Sequence, residues 1–243
     1  MSDADLQLQL SSADVAGFSA LISDITGHGV GNMPWLAPAL LFSGAQERLG
    51  LPQAGATDML VQDYQAIDWH AALAVDAPLA AKAERSEKGP TTEYDFALGD
   101  AVSLKTALRL VPRQDLAGLK PTLFNVAQLD GAAGQAQGLT ISQSQVDRYV
   151  ALSGDRNPIH SDVTLARGLG LPAPIVPGLL LLATLQPFVT GALETLKCRF
   201  MAPLCVDEAY GLAITARGPG RLRGCLYAGE NRALAIVDMR VST

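Results

Sequence analysis

Two stretches of this chain repeat one pattern of hydrophobic and polar positions. Leu10-Ser11-Ser12-Ala13-Asp14-Val15-Ala16-Gly17-Phe18-Ser19-Ala20-Leu21-Ile22-Ser23-Asp24 aligns without a gap with Ile141-Ser142-Gln143-Ser144-Gln145-Val146-Asp147-Arg148-Tyr149-Val150-Ala151-Leu152-Ser153-Gly154-Asp155. Each opens on a polar cap and then spaces apolar residues as a short amphipathic helix does. Further on, Pro38-Ala39-Leu40-Leu41 echoes Pro177-Gly178-Leu179-Leu180. Leu73-Ala74-Val75-Asp76 echoes Leu204-Cys205-Val206-Asp207 in the original register, and residues 103–110 align with 234–241. Such self-similarity predicts a tandem of two homologous domains, residues 1–118 and 119–243, joined near 112–121.

Within each copy a capped helix, a Gly/Pro-rich connection and a more apolar helix precede several alternating segments. In the second copy the apolar helix is expected over 178–193. Strands are expected over 196–201, 208–216, 223–227 and 233–241, separated by Pro203, by Gly218-Pro219-Gly220 and by Gly229-Glu230-Asn231. An apolar helix and one-sided strands must cover each other, so each half should lay a helix against a curved antiparallel sheet, an α+β architecture. The two sheets should be joined or packed as a pseudo-dimer. Pro187 inside the apolar helix should bend it or end its straight run nearby.

Composition narrows the class. Of 243 residues, 49% are hydrophobic and 17% charged, the balance of a folded globular chain. A net charge of -6 and a pI near 5.0 offer no general attraction for nucleic acid or an anionic membrane. The apolar run 179–184 falls far short of the ~18 to 20 residues of a membrane span. Met-Ser-Asp-Ala-Asp at the start is neither basic nor apolar, which makes the cytoplasm the expected location. Cys198, Cys205 and Cys225 lack CxxC spacing and read as buried thiols. His28, His70 and His160 are widely scattered, so no metal is expected. No strand-Gly-rich-helix phosphate loop suggests a nicotinamide either.

The most informative segment is Ser153-Gly154-Asp155-Arg156-Asn157-Pro158-Ile159-His160, followed by Pro174-Ile175-Val176-Pro177-Gly178-Leu179-Leu180. Gly154 permits a backbone bend closed to larger residues, and Pro158 stiffens the loop and keeps Asn157 out of helix. Asp155 and His160 lie five residues apart across that bend, so they can point into one cleft from two sides. Taken singly, the aspartate reads more readily as a loop ion pair with Arg156 and the histidine as a satisfied core residue; their joint spacing reverses that. A carboxylate beside an imidazole can hold a water, accept its proton and return one to carbon.

This compound motif resembles the hydratase signature of the MaoC-like and (R)-specific enoyl-CoA hydratase family. The resemblance is close over 141–201, follows only in pattern over the later strands, and extends to the first half as a degenerate second copy. It implies a tandem (double) hotdog fold, with a central helix wrapped by antiparallel sheet in each half. It also implies reversible hydration of enoyl thioesters or dehydration of 3-hydroxyacyl thioesters, with Asp155 and His160 as the acid-base pair. By the same resemblance the Gly178 backbone N–H polarises the thioester oxygen, while Asn157 orients the loop or a catalytic partner and Ser153 fixes Asp155. Ser153, Pro177, Lys197 and Arg199 are the expected substrate-binding positions, with Arg217, Arg221 and Arg223 as additions to a cationic patch; cations on the solvated side of a strand are the alternative for all five basic residues. Coenzyme A enters as part of the substrate, or an acyl carrier protein takes its place, with no further cofactor. A homodimer of such chains is left open. Cys205-Val206-Asp207-Glu208 departs from the Gly-Asp turn common among relatives, which weakens the coenzyme contacts more than the catalytic pair.

In the first half Asp24 matches Asp155, but Ile25-Thr26-Gly27-His28-Gly29 lacks the Asn-Pro-Ile-His core, and no second active site is expected there. Phe18, Trp35, Leu36 and Phe42 read as core, with an acyl-pocket lining as the alternative. Two other functions compete. A non-catalytic thioester-binding protein is disfavoured by the presence of both Asp155 and His160. A thioesterase is disfavoured because 178–193 carries no Asp or Glu.

Overall fold

In the computed structural model, residues 2–31, 33–52, 58–112, 122, 132–229 and 232–242 are described. Among them ten strands form one antiparallel sheet: β1 (Ser2–Leu8), β2 (Asp58–Trp69), β3 (Leu79–Lys88), β4 (Thr91–Leu98), β5 (Val102–Pro112), β6 (Gly134–Leu139), β7 (Leu193–Phe200), β8 (Tyr210–Gly218), β9 (Arg221–Ala228) and β10 (Arg232–Val241). Their order is β1-β3-β4-β5-β2-β7-β10-β9-β8-β6. Read outward from the centre, each half runs through its strands in the same sequence. The two sheets are therefore joined edge to edge, at β2 and β7, where Ala66 faces Lys197. The alignment that matches Leu10 to Ile141 also matches Ala66 to Lys197, so equivalent residues meet at the seam.

Helices α1 (Ser12–Thr26), α2 (Phe42–Leu49), α3 (Gln143–Ser153), α4 (Val163–Gly168) and α5 (Gly178–Ala183) complete the described elements, with short 3-10 turns at Ala37–Leu41, Pro158–His160 and Gln186–Phe188. Ser11 and Ser142 cap α1 and α3 through the N–H groups of Asp14 and Gln145, as the repeat requires. Phe18 and Tyr149, equivalent in the repeat, meet at 5.9 Å between ring centroids. Asp76 and Asp207 are the non-glycine residues with positive φ among those described, at 58° and 62°. Their N–H groups donate to Leu10 and Ile141 O, each at 2.9 Å. Two aspartates in a costly backbone region, tied to matching carbonyls, reflect the repeat at the level of single turns.

One contiguous core spans both halves, including Phe18, Leu21 and Phe96 from the first and Leu180, Leu212, Leu226 and Leu234 from the second. Trp35 and Leu36 belong to this core, and so does Phe42. The outer face of the first half is charged, with Lys88 and Glu93 at 2.7 Å and Lys105 and Asp95 at 3.1 Å. Cys198, Cys205 and Cys225 are free and buried, and burial pushes the Cys225 thiol up to about 12. No helix among the described residues is long and apolar enough to cross a membrane.

The second-half helix is much shorter than the expected 178–193. It ends at Ala183, gives way to a 3-10 turn containing Pro187, and Leu193 already opens β7. Proline offers no N–H to continue the ladder, and the Thr184 hydroxyl donates to Leu181 O at 2.7 Å, closing the last turn. The expected boundary at 118 lies outside the described residues.

Candidate active site

The α3 helix delivers the Asp-His segment through a run of local hydrogen bonds. Gly154 ends the helix in the left-handed region, at φ 68°, with its N–H on Val150 O. The next residue, Asp155, donates its N–H to Ser153 Oγ at 3.2 Å, and Asp155 Oδ1 accepts the Asn157 N–H at 3.0 Å. Asn157 Oδ1 in turn accepts the Ile159 N–H at 3.3 Å, capping the turn that carries His160. Ser153 and Asn157 thus act on geometry: one pins the backbone of Asp155, the other the turn beneath the imidazole.

His160 Nδ1 lies 2.8 Å from Ile175 O. A carbonyl only accepts, so Nδ1 carries the hydrogen, and Nε2 is left facing Asp155 Oδ2 at 3.5 Å. Ile175 is itself held by its N–H on Ile159 O, at 3.1 Å, and by a bridge to Cys205. Burial would raise the Asp155 carboxyl, but the hydrogen bond and charge of His160 and the Asn157 N–H outweigh it and hold it below the usual aspartate range. The Tyr149 hydroxyl behind it is pushed up by complete burial and by the Asp155 charge.

These groups open on a cleft of about 620 Å³. Its place follows from the sheet. Pairing of β2 with β7 covers Tyr64 to Asp68 only, because β7 ends at Phe200 while β2 continues toward Asp58 on its β5 neighbour. The resulting fork receives Asp155, Asn157, His160, Pro177 and Gly178 from the second half, and Met59, Gln62 and Leu108 from the first. Met59, Ile159, Ala166 and Leu169 form a separate apolar cluster there. A methyl group placed on Gly178 would lie 2.9 Å from the Phe200 ring and 3.0 Å from Gln62 Oε1, so any larger residue there would have to displace those side chains into the cleft lining.

The expected substrate-binding positions separate in space. Pro177 caps α5 inside the cleft and Ser153 is buried behind Asp155. Lys197 and Arg199 alternate with the buried Leu196 and Cys198, so their side chains are exposed on the opposite face of β7, outside the cleft lining. Arg217 and Arg221 are exposed near the β8–β9 turn, and Arg223 pairs with Asp238 at 2.8 Å.

Asp24 and His28 are not brought together. Ser23 stands where the second half has Gly154, α1 continues to Thr26, and Asp24 stays on the helix surface, 2.8 Å from Arg148 and 3.1 Å from Gln145. His28 turns to Thr26 O at 2.7 Å and to the Phe188 ring at 4.9 Å. Of the first-half residues offered from the sequence as an alternative pocket lining, Phe42 does line the cleft, while Gln62, Met59 and Leu108 carried no motif signal. Gln62, and the Asp63–Arg109 ion pair at 2.7 Å, sit beside a β-bulge between Gln62 and Tyr64, which follows from pairing rather than from any short pattern.

Residues 125–223 match the family model of the MaoC like domain. Solved structures share the fold over the full length. HtdX from Mycobacterium tuberculosis is 22% identical with a TM-score of 0.75, covering 100% of both chains. A MaoC-like dehydratase from Phytophthora Capsici is 16% identical at 0.70, covering 100% of this chain and 95% of its own. A 12:0-ACP thioesterase from Umbellularia californica is 11% identical at 0.65, covering 99% and 97%. At these identities the likeness is one of fold, a hotdog-type arrangement with a large antiparallel sheet and few helices. No curated protein matches the sequence.

Proposed function

We propose, on the premise that the chain is of the MaoC-like family through residues 125–223, that it reversibly adds water to enoyl thioesters and removes it from 3-hydroxyacyl thioesters. The observation that carries this reading is the facing of Asp155 Oδ2 and His160 Nε2, 3.5 Å apart, into a cleft that also contains Gly178. A water held between carboxylate and imidazole gives up a proton as its oxygen attacks the β carbon, and the pair returns a proton to the α carbon. Negative charge grows on the thioester oxygen meanwhile, and the Gly178 N–H is the group assigned to meet it. Carboxylate, imidazole and amide suffice for these transfers, so the proposal assigns no metal or redox cofactor.

The acyl chain is assigned to the apolar cluster of Met59, Ile159 and Leu169, and coenzyme A or an acyl carrier protein to the cleft mouth. We read the chain as a tandem double hotdog, residues 1–118 and 119–243. The repeated strand order, the paired serine caps and the paired left-handed aspartates support that reading. Purified protein incubated with enoyl-CoA esters from short to long, dicarboxylic ones included, should consume enoyl absorbance without releasing free thiol. Thiol release would favour a thioesterase, and binding without turnover a non-catalytic thioester-binding protein.

A further inference from the structure

We propose that Gln62, supplied by the half without an Asp-His pair, positions the substrate by accepting a hydrogen bond from an amide N–H on its thiol arm. The inference rests on the hydratase reading of the cleft.

A small buried network sets the orientation of Gln62. The Ala66 carbonyl can only accept, and Gln65 Nε2 lies 2.9 Å from it, so Gln65 must turn its Oε1 the other way. That oxygen accepts from the Thr106 hydroxyl and from Gln62 Nε2, the latter at 3.0 Å. Gln65 and Thr106 are each 1% exposed, and at that burial an unsatisfied amide or hydroxyl would be costly. Every group in the network is therefore directed inward except Gln62 Oε1. This oxygen has no other hydrogen-bond partner among the described residues and lies 3.0 Å from where a methyl on Gly178 would be. The β-bulge that begins at Gln62 is the local distortion through which β2 brings this side chain to the fork.

An acceptor at that place repels a thioester carbonyl and repels the enolate more. It can hold only a donor. The thiol arms of coenzyme A and of acyl carrier proteins share one donor near sulfur, a secondary amide N–H two carbons away. Gln62 Oε1 beside the Gly178 amide then brackets the thioester: the glycine N–H takes the carbonyl oxygen and the glutamine oxygen takes the arm.

The test compares an enoyl N-acetylcysteamine thioester, which keeps that amide, with the enoyl S-propyl thioester, which lacks it. Gln62→Met preserves length and removes the acceptor. Its kcat/KM should fall about 3- to 10-fold on the first substrate, mainly through KM, and stay within about two-fold of wild type on the second, the scale of one neutral hydrogen bond. Equal loss on both substrates, or loss on neither, overturns the assignment. Should the variant fail to fold, wild type alone decides, because it must prefer the amide-bearing thioester, and equal kcat/KM values overturn the proposal. Wild type that hydrates neither these thioesters nor any enoyl-CoA sinks the hydratase reading and this inference with it. Wild type that hydrates both without preference removes the inference alone.

Discussion

At one end of the β2–β7 seam the sheet opens into the Asp-His cleft, while at the other end the corresponding place is closed. β2 has 12 residues and β7 only 8, and the extra length of β2 forms a wall of the cleft. At the opposite end the chain before β7 folds into the 3-10 turn Gln186–Phe188. There Gln186 Oε1 accepts the Trp35 N–H at 2.6 Å, Gln186 Nε2 donates to Met33 O at 3.2 Å, and Phe188 covers His28. Trp69, which the repeat aligns with the cleft residue Phe200, donates its indole N–H to Trp35 O at 3.3 Å. The lesson is that two halves with matching caps and turns can differ at equivalent places, one open and the other filled. On the proposed reading, the second half contributes the Asp155–His160 loop to the cleft and the first half contributes its long strand.

The largest effect expected from this asymmetry is on the chemical step. Asp155→Asn and His160→Gln should each lower turnover of a good enoyl-CoA by at least ~100-fold, with the double variant losing little more because both serve the same proton transfers. Asp24→Asn and His28→Gln should leave turnover within a few-fold. Hydration that survived in Asp155→Asn, or vanished in a folded His28→Gln protein, would reverse the roles of the halves.

A smaller effect is expected at the helix ends. Gly154→Ala forces a Cβ into the left-handed region at a cost of about 1–2 kcal/mol, and should lower turnover as well as melting temperature because it displaces Asp155. Ser23→Gly, at the aligned place in α1, should lower stability by about 0.5 kcal/mol, the difference in helix propensity between serine and glycine, and yield no second site. Parallel measurement of unfolding and activity separates the two outcomes.

The pH dependence of stability sharpens the comparison further. Because the fold depresses the Asp155 pKa, the stabilisation from its ionised form is fully present above the unfolded value of about 3.9 and is lost as pH falls through the folded one. The difference in unfolding free energy between wild type and Asp155→Asn should therefore shrink as pH is lowered from about 5 to below 3. A difference that stayed constant would show that the fold does not depress the Asp155 carboxyl, whether through His160 or the Asn157 N–H. The least effect belongs to the Asp24–Arg148 pair, whose side chains are 53% and 48% exposed. A double-mutant cycle there should give a coupling under about 1 kcal/mol that fades with salt.

The repeat, the capped helices, the later strands and the Asp155–His160 loop were legible from sequence, because each rests on local rules: capping chemistry, side-chain periodicity, and a glycine and a proline within a few residues of the groups they present. The resemblance carried by that loop matches the family model found over 125–223. The interruption at Pro187 is legible from sequence, but α5 ends earlier than its apolar run suggests, at Ala183, where the Thr184 hydroxyl closes the last turn. For Lys197 and Arg199 the sequence leaves both a substrate role and a solvated strand face open, and their exposure on β7 depends on strand parity and on which face is covered. Gln62, Met59 and Leu108 had no sequence signal. They reach the cleft only because β2 outlasts β7 at the seam and bulges at Gln62, and strand pairing between distant segments decides both. The sequence by itself determined the loop that carries Asp155 and His160, through a helix cap, a glycine and a proline close by in the chain. Tertiary structure decided which of two equivalent places stayed open for it, because long-range register, unlike a cap or a turn, is set by partners far away in the chain.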